Sequence, residues 1–144
     1  MAAHPIEGRP KPCDLKAEQA ILSAVLCSFD RAEQAKLMGE LVPLLAPSHF
    51  YGPQHQIIWT AMLSIHGELR PIDIVTLRAT LSASGQLDRA GGVRYLAQLF
   101  DEVPATAYPL EYARIVVQHA RVRRTIATLE TAAAQGYALT EDQA

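Results

Sequence analysis

The sequence of 144 residues predicts an all-α protein, a compact helical bundle followed by a long helix that begins a helical hairpin. Three observations predict it. Apolar residues recur at three- and four-residue spacing along almost the whole chain, the pattern of helices with one buried face. Aspartates stand just ahead of several of these runs, where a carboxylate can accept the unpaired N–H groups of a first turn. No convincing strand intervenes, because the short IDIV run at 72–75 sits on a capping signal of its own.

Taken in order, residues 1–12 (MAAHPIEGRPKP) are rich in proline and read as a flexible N-terminal arm. A helical head follows over 13–107. Asp14 is the cap of a first helix that carries Ile21, Leu22, Val25 and Leu26 on one face. Asp30 caps a second, running to about Met38 and stopped near Gly39 and Pro43. Pro53 opens a third, since proline suits the first helical position, with Ile58, Ala61, Met62 and Ile65 inward until Gly67. Asp73 caps a fourth, with Ile74, Leu77 and Leu81 inward and Gly85 as its stop. A fifth follows Gly91 and Gly92, with Val93, Leu96 and Phe100 inward. There Gly91 supplies a backbone angle that other residues resist, and Gly92 lets two helices approach closely.

The last helix, over 108–136, is of another kind. Nothing breaks it between Pro109 and Gly136, and ~27 residues at 1.5 Å each reach about 40 Å, more than such a head can cover. Its stripe of Tyr108, Tyr112, Ile115, His119, Val122, Ile126, Leu129 and Ala133 alternates steps of four and three, a heptad seam that wants a partner helix. A turn at Gly136 and the start of a returning helix are expected over 137–144. The alternative is that the stripe packs on the head.

The composition limits function. A hydrophobic content of 49% suits a packed core, and a net charge of -2 with pI near 6.2 argues against general phosphate binding by the surface. No apolar run approaches the ~20 residues of a membrane span, and the first residues lack the apolar core of a signal peptide. Cys13 and Cys27 read as ordinary thiols, so the expected setting is the cytoplasm. A phosphate-binding loop needs a Gly-Lys pair, and the lysines, Lys11, Lys16 and Lys36, do not follow glycine. The twin glycines are therefore punctuation between helices. His49 and His55 lack metal-ligand spacing, and His55 is expected to make a local hydrogen bond at a helix start. No catalytic residues, metal ligands or cofactor-binding residues are assigned. Arg114, Arg121, Arg123 and Arg124 form a basic cluster on the long helix, facing solvent, nucleic acid or an acidic partner.

Five stretches together resemble the N-terminal domain of the bacterial replicative DNA helicases of the DnaB family. They are KAEQAILSAVL (16–26), HFYGPQHQIIW (49–59), PIDIVTL (71–77), QLDRAGGVRYLAQL (86–99) and YARIVVQHARVRRTI (112–126), in the family's order and near its spacing. Lys16 and Tyr108 depart from the residues common there. The resemblance implies a helical head and hairpin, with hairpins of neighbouring subunits pairing into a collar, a trimer of dimers within a hexamer. It implies docking of primase on that collar, with a helicase loader as a further partner. ATP and magnesium, like most DNA contact, are expected to belong to a C-terminal domain. The second hairpin helix is expected to start within 137–144, with its remainder beyond residue 144. On this basis Val122, Ile126 and Leu129 are expected to carry self-association, and Tyr95, Ile126 and Ala132 to fall where primase is met. Arg121, Arg123 and Arg124 remain the candidates for nucleic acid or an acidic partner. The rival expectation is a stand-alone DNA-binding or adaptor module built on that arginine cluster.

Overall fold

The computed structural model describes residues 8–102 and 108–142, and in them all the regular secondary structure is helical. Six α-helices follow one another: α1 (Leu15–Leu26), α2 (Arg31–Leu41), α3 (Pro53–Gly67), α4 (Ile74–Ala83), α5 (Gly92–Asp101) and α6 (Pro109–Asp142). Among the described residues one 3-10 turn, Pro47–His49, lies between α2 and α3. Local chemistry starts the helices where the sequence places the caps. Asp14 Oδ1 accepts from the Ala17 N–H at 2.9 Å and Asp30 Oδ1 from the Glu33 N–H at 3.0 Å. Asp73 and Thr76 cap each other, at 2.8 Å and 2.9 Å.

Helix α1 is the centre of the head. It packs on α6, α5 and α3, and touches α2 more lightly. Its face of Ile21, Leu22, Val25 and Leu26 is buried, against Ile58, Met62 and Ile65 of α3, Leu77 and Leu81 of α4, and Leu96 and Leu99 of α5 in one continuous core. Trp59 is fully buried and its indole N–H donates to the Leu45 carbonyl at 3.0 Å, so the ring is held without an unpaired donor. The core is closed along α6 by Ala113 and Val116.

Three expectations about local structure need correction. Helix α6 does not turn at Gly136 but runs unbroken to Asp142, a length of 34 residues. One glycine in a helix interior costs about 1 kcal/mol relative to alanine, and the alanine-rich residues before it favour continuation. Within 137–142, where the sequence predicts the start of a returning helix, Thr140 donates back to the Gly136 carbonyl at 3.2 Å, one turn earlier in the same helix. Val93 is exposed, and α5 buries Leu96 and Leu99, with Phe100 half-buried. Gly92 has open space where a side chain would go. The close approach is at Gly91, where a Cβ would lie 2.6 Å from that of Tyr95, and both glycines have positive φ.

Candidate functional site

Two features stand out once the core is accounted for. The first is the stripe on α6. At 3.6 residues per turn it lies about 120° round the helix from the face of Ala113 and Val116 that closes the head. The consequence is visible in exposure: Val122 keeps 38% of its surface and Leu129 62%, with Tyr108 and Ile115 also exposed and Ile126 half-buried. Apart from Tyr112, which is partly buried against the core, the head is therefore closed by a different face from the one the heptad steps pick out. Because α6 is continuous through Gly136, Tyr137 follows on the same side four residues after Ala133, and it too is exposed. Residues 127–142 are exposed on every side, so this half of α6 is a projecting rod.

The second feature is a buried polar network inside the head. Glu18 stands on the inward face of α1, three, four and seven residues before Ile21, Leu22 and Val25, and is 1% exposed. Its carboxylate accepts from the backbone N–H of Tyr51 at 2.9 Å and of Gly52 at 3.1 Å, and is 2.9 Å from His55 Nδ1. The other ring nitrogen, Nε2, is 2.5 Å from the Tyr95 hydroxyl. Burial by itself pushes the Glu18 carboxyl up. The hydrogen bonds from His55, Tyr51 and Gly52, with the His55 charge, outweigh it and hold the group below the ordinary carboxylate range. Burial pushes the Tyr95 phenol up, opposed by a hydrogen bond with Gln54 and helped by the charges of Glu102 and Glu18. Gly52 and Gly91 make room for this network, because a Cβ at Gly52 would come 2.8 Å from His55 Nδ1. The hydrogen bonds of His55 are thus long-range and not local, joining α3 to α1 and α5.

The sequence-predicted residues separate into groups. Val122, Ile126 and Leu129 share one face of α6, with Val122 and Leu129 exposed and Ile126 half-buried just before the rod begins. Tyr95 is half-buried on α5, its hydroxyl tied to α3 through His55. Ala132 is exposed on the rod, six residues beyond Ile126 and so about 120° away from it around the helix. The arginines also divide. Arg114 pairs with Glu111 one turn before it. Arg123 is committed to the head: its guanidinium donates to the Pro12 carbonyl at 2.8 Å and the His49 carbonyl at 2.9 Å. It also lies over the Tyr51 ring, 5.3 Å from the centroid. Arg121 and Arg124 face solvent. Burial, together with the Arg121 and Arg123 charges, pushes His49 down.

Sequence reasoning missed Glu18 and Gln34. The Gln34 side chain donates to the carbonyls of Val25 and Ile72 at 2.9 Å and 2.7 Å, and accepts from the Ile72 N–H at 2.9 Å, joining α1, α2 and the approach to α4. The signal was present: both are polar residues on otherwise apolar helix faces, and such residues are buried only with partners. Among the described residues no three His, Cys, Asp or Glu side chains gather as a metal would require, and no helix is long and apolar enough to cross a membrane.

The model of the DnaB-like helicase N-terminal domain family matches residues 10–118. The replicative DNA helicase DnaB of Geobacillus stearothermophilus is 42% identical over 132 residues, which is 90% of this chain and 27% of that protein. That of Mycobacterium leprae (strain TN) is 37% identical over 131 residues, 91% of this chain and 21% of the other. The chain thus spans about a quarter of the length of the curated relatives it matches. Among solved structures, the crystal structure of the N-terminal domain of DnaB helicase from Mycobacterium tuberculosis superposes with a TM-score of 0.82 at 36% identity. The match covers 92% of this chain and 90% of that one.

Proposed function

The chain belongs to the family of N-terminal domains of DnaB-like replicative helicases, and from that membership we propose that it is an assembly and docking module. In this reading the rods of two copies pair along the stripe, through Val122, Ile126 and Leu129, as dimers that organise a hexameric ring in the cytoplasm. A surface including Tyr95, Ile126 and Ala132 receives primase, and a helicase loader is a further partner. Unwinding, with the ATP and magnesium it uses, is assigned to a separate C-terminal domain, which also makes most of the DNA contact.

The observation that supports this reading best is the apolar stripe along α6, most of which the head leaves exposed. Apolar side chains of Leu or Ile size contribute about 1.5–3 kcal/mol each when fully buried, so a few aligned on one seam suffice for pairing. Leu129→Glu is expected to weaken self-association while leaving the helical content of the head intact. Sedimentation over a wide concentration range checks it, and unchanged assembly would remove the seam from the account.

The exposure of Arg121 and Arg124 supports a second reading, a helical module that meets nucleic acid through the rod. It predicts DNA binding that weakens steeply as salt is added. A fluorescent-DNA titration with no salt-sensitive signal overturns it.

A further inference from the structure

The rod is a lever, and its base carries a latch. Beyond Arg123 it extends over 124–142, about 28 Å at 1.5 Å per residue, so a swing of ~10° at the base moves its tip by ~5 Å, close to one helical pitch. A heptad seam tolerates no such error, because each knob must find its hole. Apolar closure of the head by α6 rests on Ala113 and Val116, with Leu110, Tyr112 and Val117 partly buried beside them, all near the start of the helix. Two full turns further on, Arg123 reaches back from α6 to three separate places: the Pro12 carbonyl at the end of the N-terminal arm, the His49 carbonyl of the 3-10 turn, and the face of Tyr51. The Tyr51 N–H is in turn held by the buried Glu18 carboxylate, so this anchor is fixed to the head's interior. Lys11, next to Pro12, adds an exposed ion pair with Glu130 at 3.8 Å.

We propose that Arg123 is a positioning residue for self-association: it locks the direction in which the rod leaves the head, and so decides where the exposed stripe is presented to a second copy. This rests on the pairing of rods proposed above. The guanidinium suits the task because its planar fork can serve two carbonyls in different directions while lying on an aromatic ring, which a lysine ammonium cannot reproduce. Its charge is absorbed by backbone oxygens and a ring, and no carboxylate is required at the base of the rod.

The test is a distance measurement within one chain. Spin labels are attached at Glu40→Cys on the head and Ala134→Cys on the rod, both exposed positions, in a Cys13→Ser, Cys27→Ser background. Labelled chain is diluted into excess unlabelled chain, so that only intramolecular distances are read by pulsed dipolar spectroscopy. The parent is expected to give one narrow distribution. Arg123→Ala is expected to broaden it and to weaken association in sedimentation although the stripe is intact. Arg123→Lys, which keeps the charge, should broaden it as well, and it decides the matter if Arg123→Ala fails to fold. Arg114→Ala, an equal loss of charge from the same helix, should leave the peak narrow. A narrow, unshifted peak in folded Arg123→Ala overturns the latch. If that peak broadens but neither Arg123→Ala nor Leu129→Glu alters sedimentation, the rod is latched but does not pair, and the role in self-association is overturned with the reading it rests on.

Discussion

The head and the rod are made of similar residues but solve opposite problems. In the head, every helix turns an apolar face to a common core, and the larger polar groups taken inside are paired: Glu18 with two backbone N–H groups and His55, Gln34 with backbone groups of Val25, Ser28 and Ile72. The small Ser23 hydroxyl is buried without a hydrogen-bond partner among the described residues. On the rod, α6 continues past the last core contact with apolar side chains still placed at heptad intervals, and there they face water. The difference teaches where stability and where assembly reside. The head has the internal contacts to fold on its own account, whereas the rod has surplus apolar surface and one strong tether, Arg123.

The largest effect expected on the head side follows from removing the carboxylate at its centre. Glu18→Ala leaves the Tyr51 and Gly52 N–H groups and His55 Nδ1 without their acceptor in a buried place, and breaking a buried pair in this way costs about 3–5 kcal/mol. Urea unfolding measures it. The same carboxylate sets an acid limb. Its pKa is lower folded than unfolded, so its contribution is fully present above the ordinary value of 4.5 and is lost as pH falls through the folded value. His49, also lower when folded, adds a gentler loss that starts as pH drops below its ordinary 6.5, because the unfolded chain takes up that proton first. In Glu18→Ala the limb below pH 4.5 should flatten while the His49 limb persists. An unchanged acid limb would mean that the network is not what joins the head's helices.

A smaller loss is expected where the network meets the backbone. Gly91 has φ of 101° and a Cβ there would lie 2.6 Å from that of Tyr95, so Gly91→Ala meets both strain and a clash. Gly92 has φ of 71° with open space around it, and Gly92→Ala meets strain alone. Left-handed backbone costs an L-residue roughly 1–2 kcal/mol. Gly92→Ala should fall in that range and Gly91→Ala above it, both read from unfolding midpoints, with the Tyr95 resonances displaced in Gly91→Ala alone. Equal losses at the two positions would remove the clash from the account.

What the sequence made legible divides along the same line. Asp14, Asp30, Asp73 and Pro53 mark helix starts because a cap acts within three residues, and the structure places helices at all four. The heptad stripe was legible because it is a property of one helix. What escaped depends on distance along the chain or on small energy differences. His55 and Glu18 are 37 residues apart, and nothing local to either names the other. The commitment of Arg123 to Pro12 spans 111 residues, so nothing in the sequence separates it from the other arginines, read as facing solvent, nucleic acid or an acidic partner. Gly136 escaped for the second reason: a cost near 1 kcal/mol is too small to decide between a turn and continuation when no partner helix competes. The Val93–Leu96–Phe100 line puts Val93 inward, but α5 buries Leu96 and Leu99 instead, a face turned from that line, which leaves Val93 exposed.

The smallest effect is the most diagnostic for the comparison. Leu129 lies outside the buried core and is 62% exposed, and leucine and glutamate have nearly equal helix propensity, so Leu129→Glu in dilute solution should change unfolding stability by about 0.5 kcal/mol or less. Concentration separates the two regions. If rods pair, the parent's melting temperature rises with protein concentration by mass action, because partner binding stabilises only the folded chain. The melting temperature of Leu129→Glu should then stay flat, and the two curves should converge on dilution. Convergence assigns the stability of the head to its own core and the concentration-dependent part to the stripe. A persistent gap in dilute solution would instead make Leu129 a contributor to the isolated fold, and the division between a self-sufficient head and a rod that needs a partner would fail at that residue.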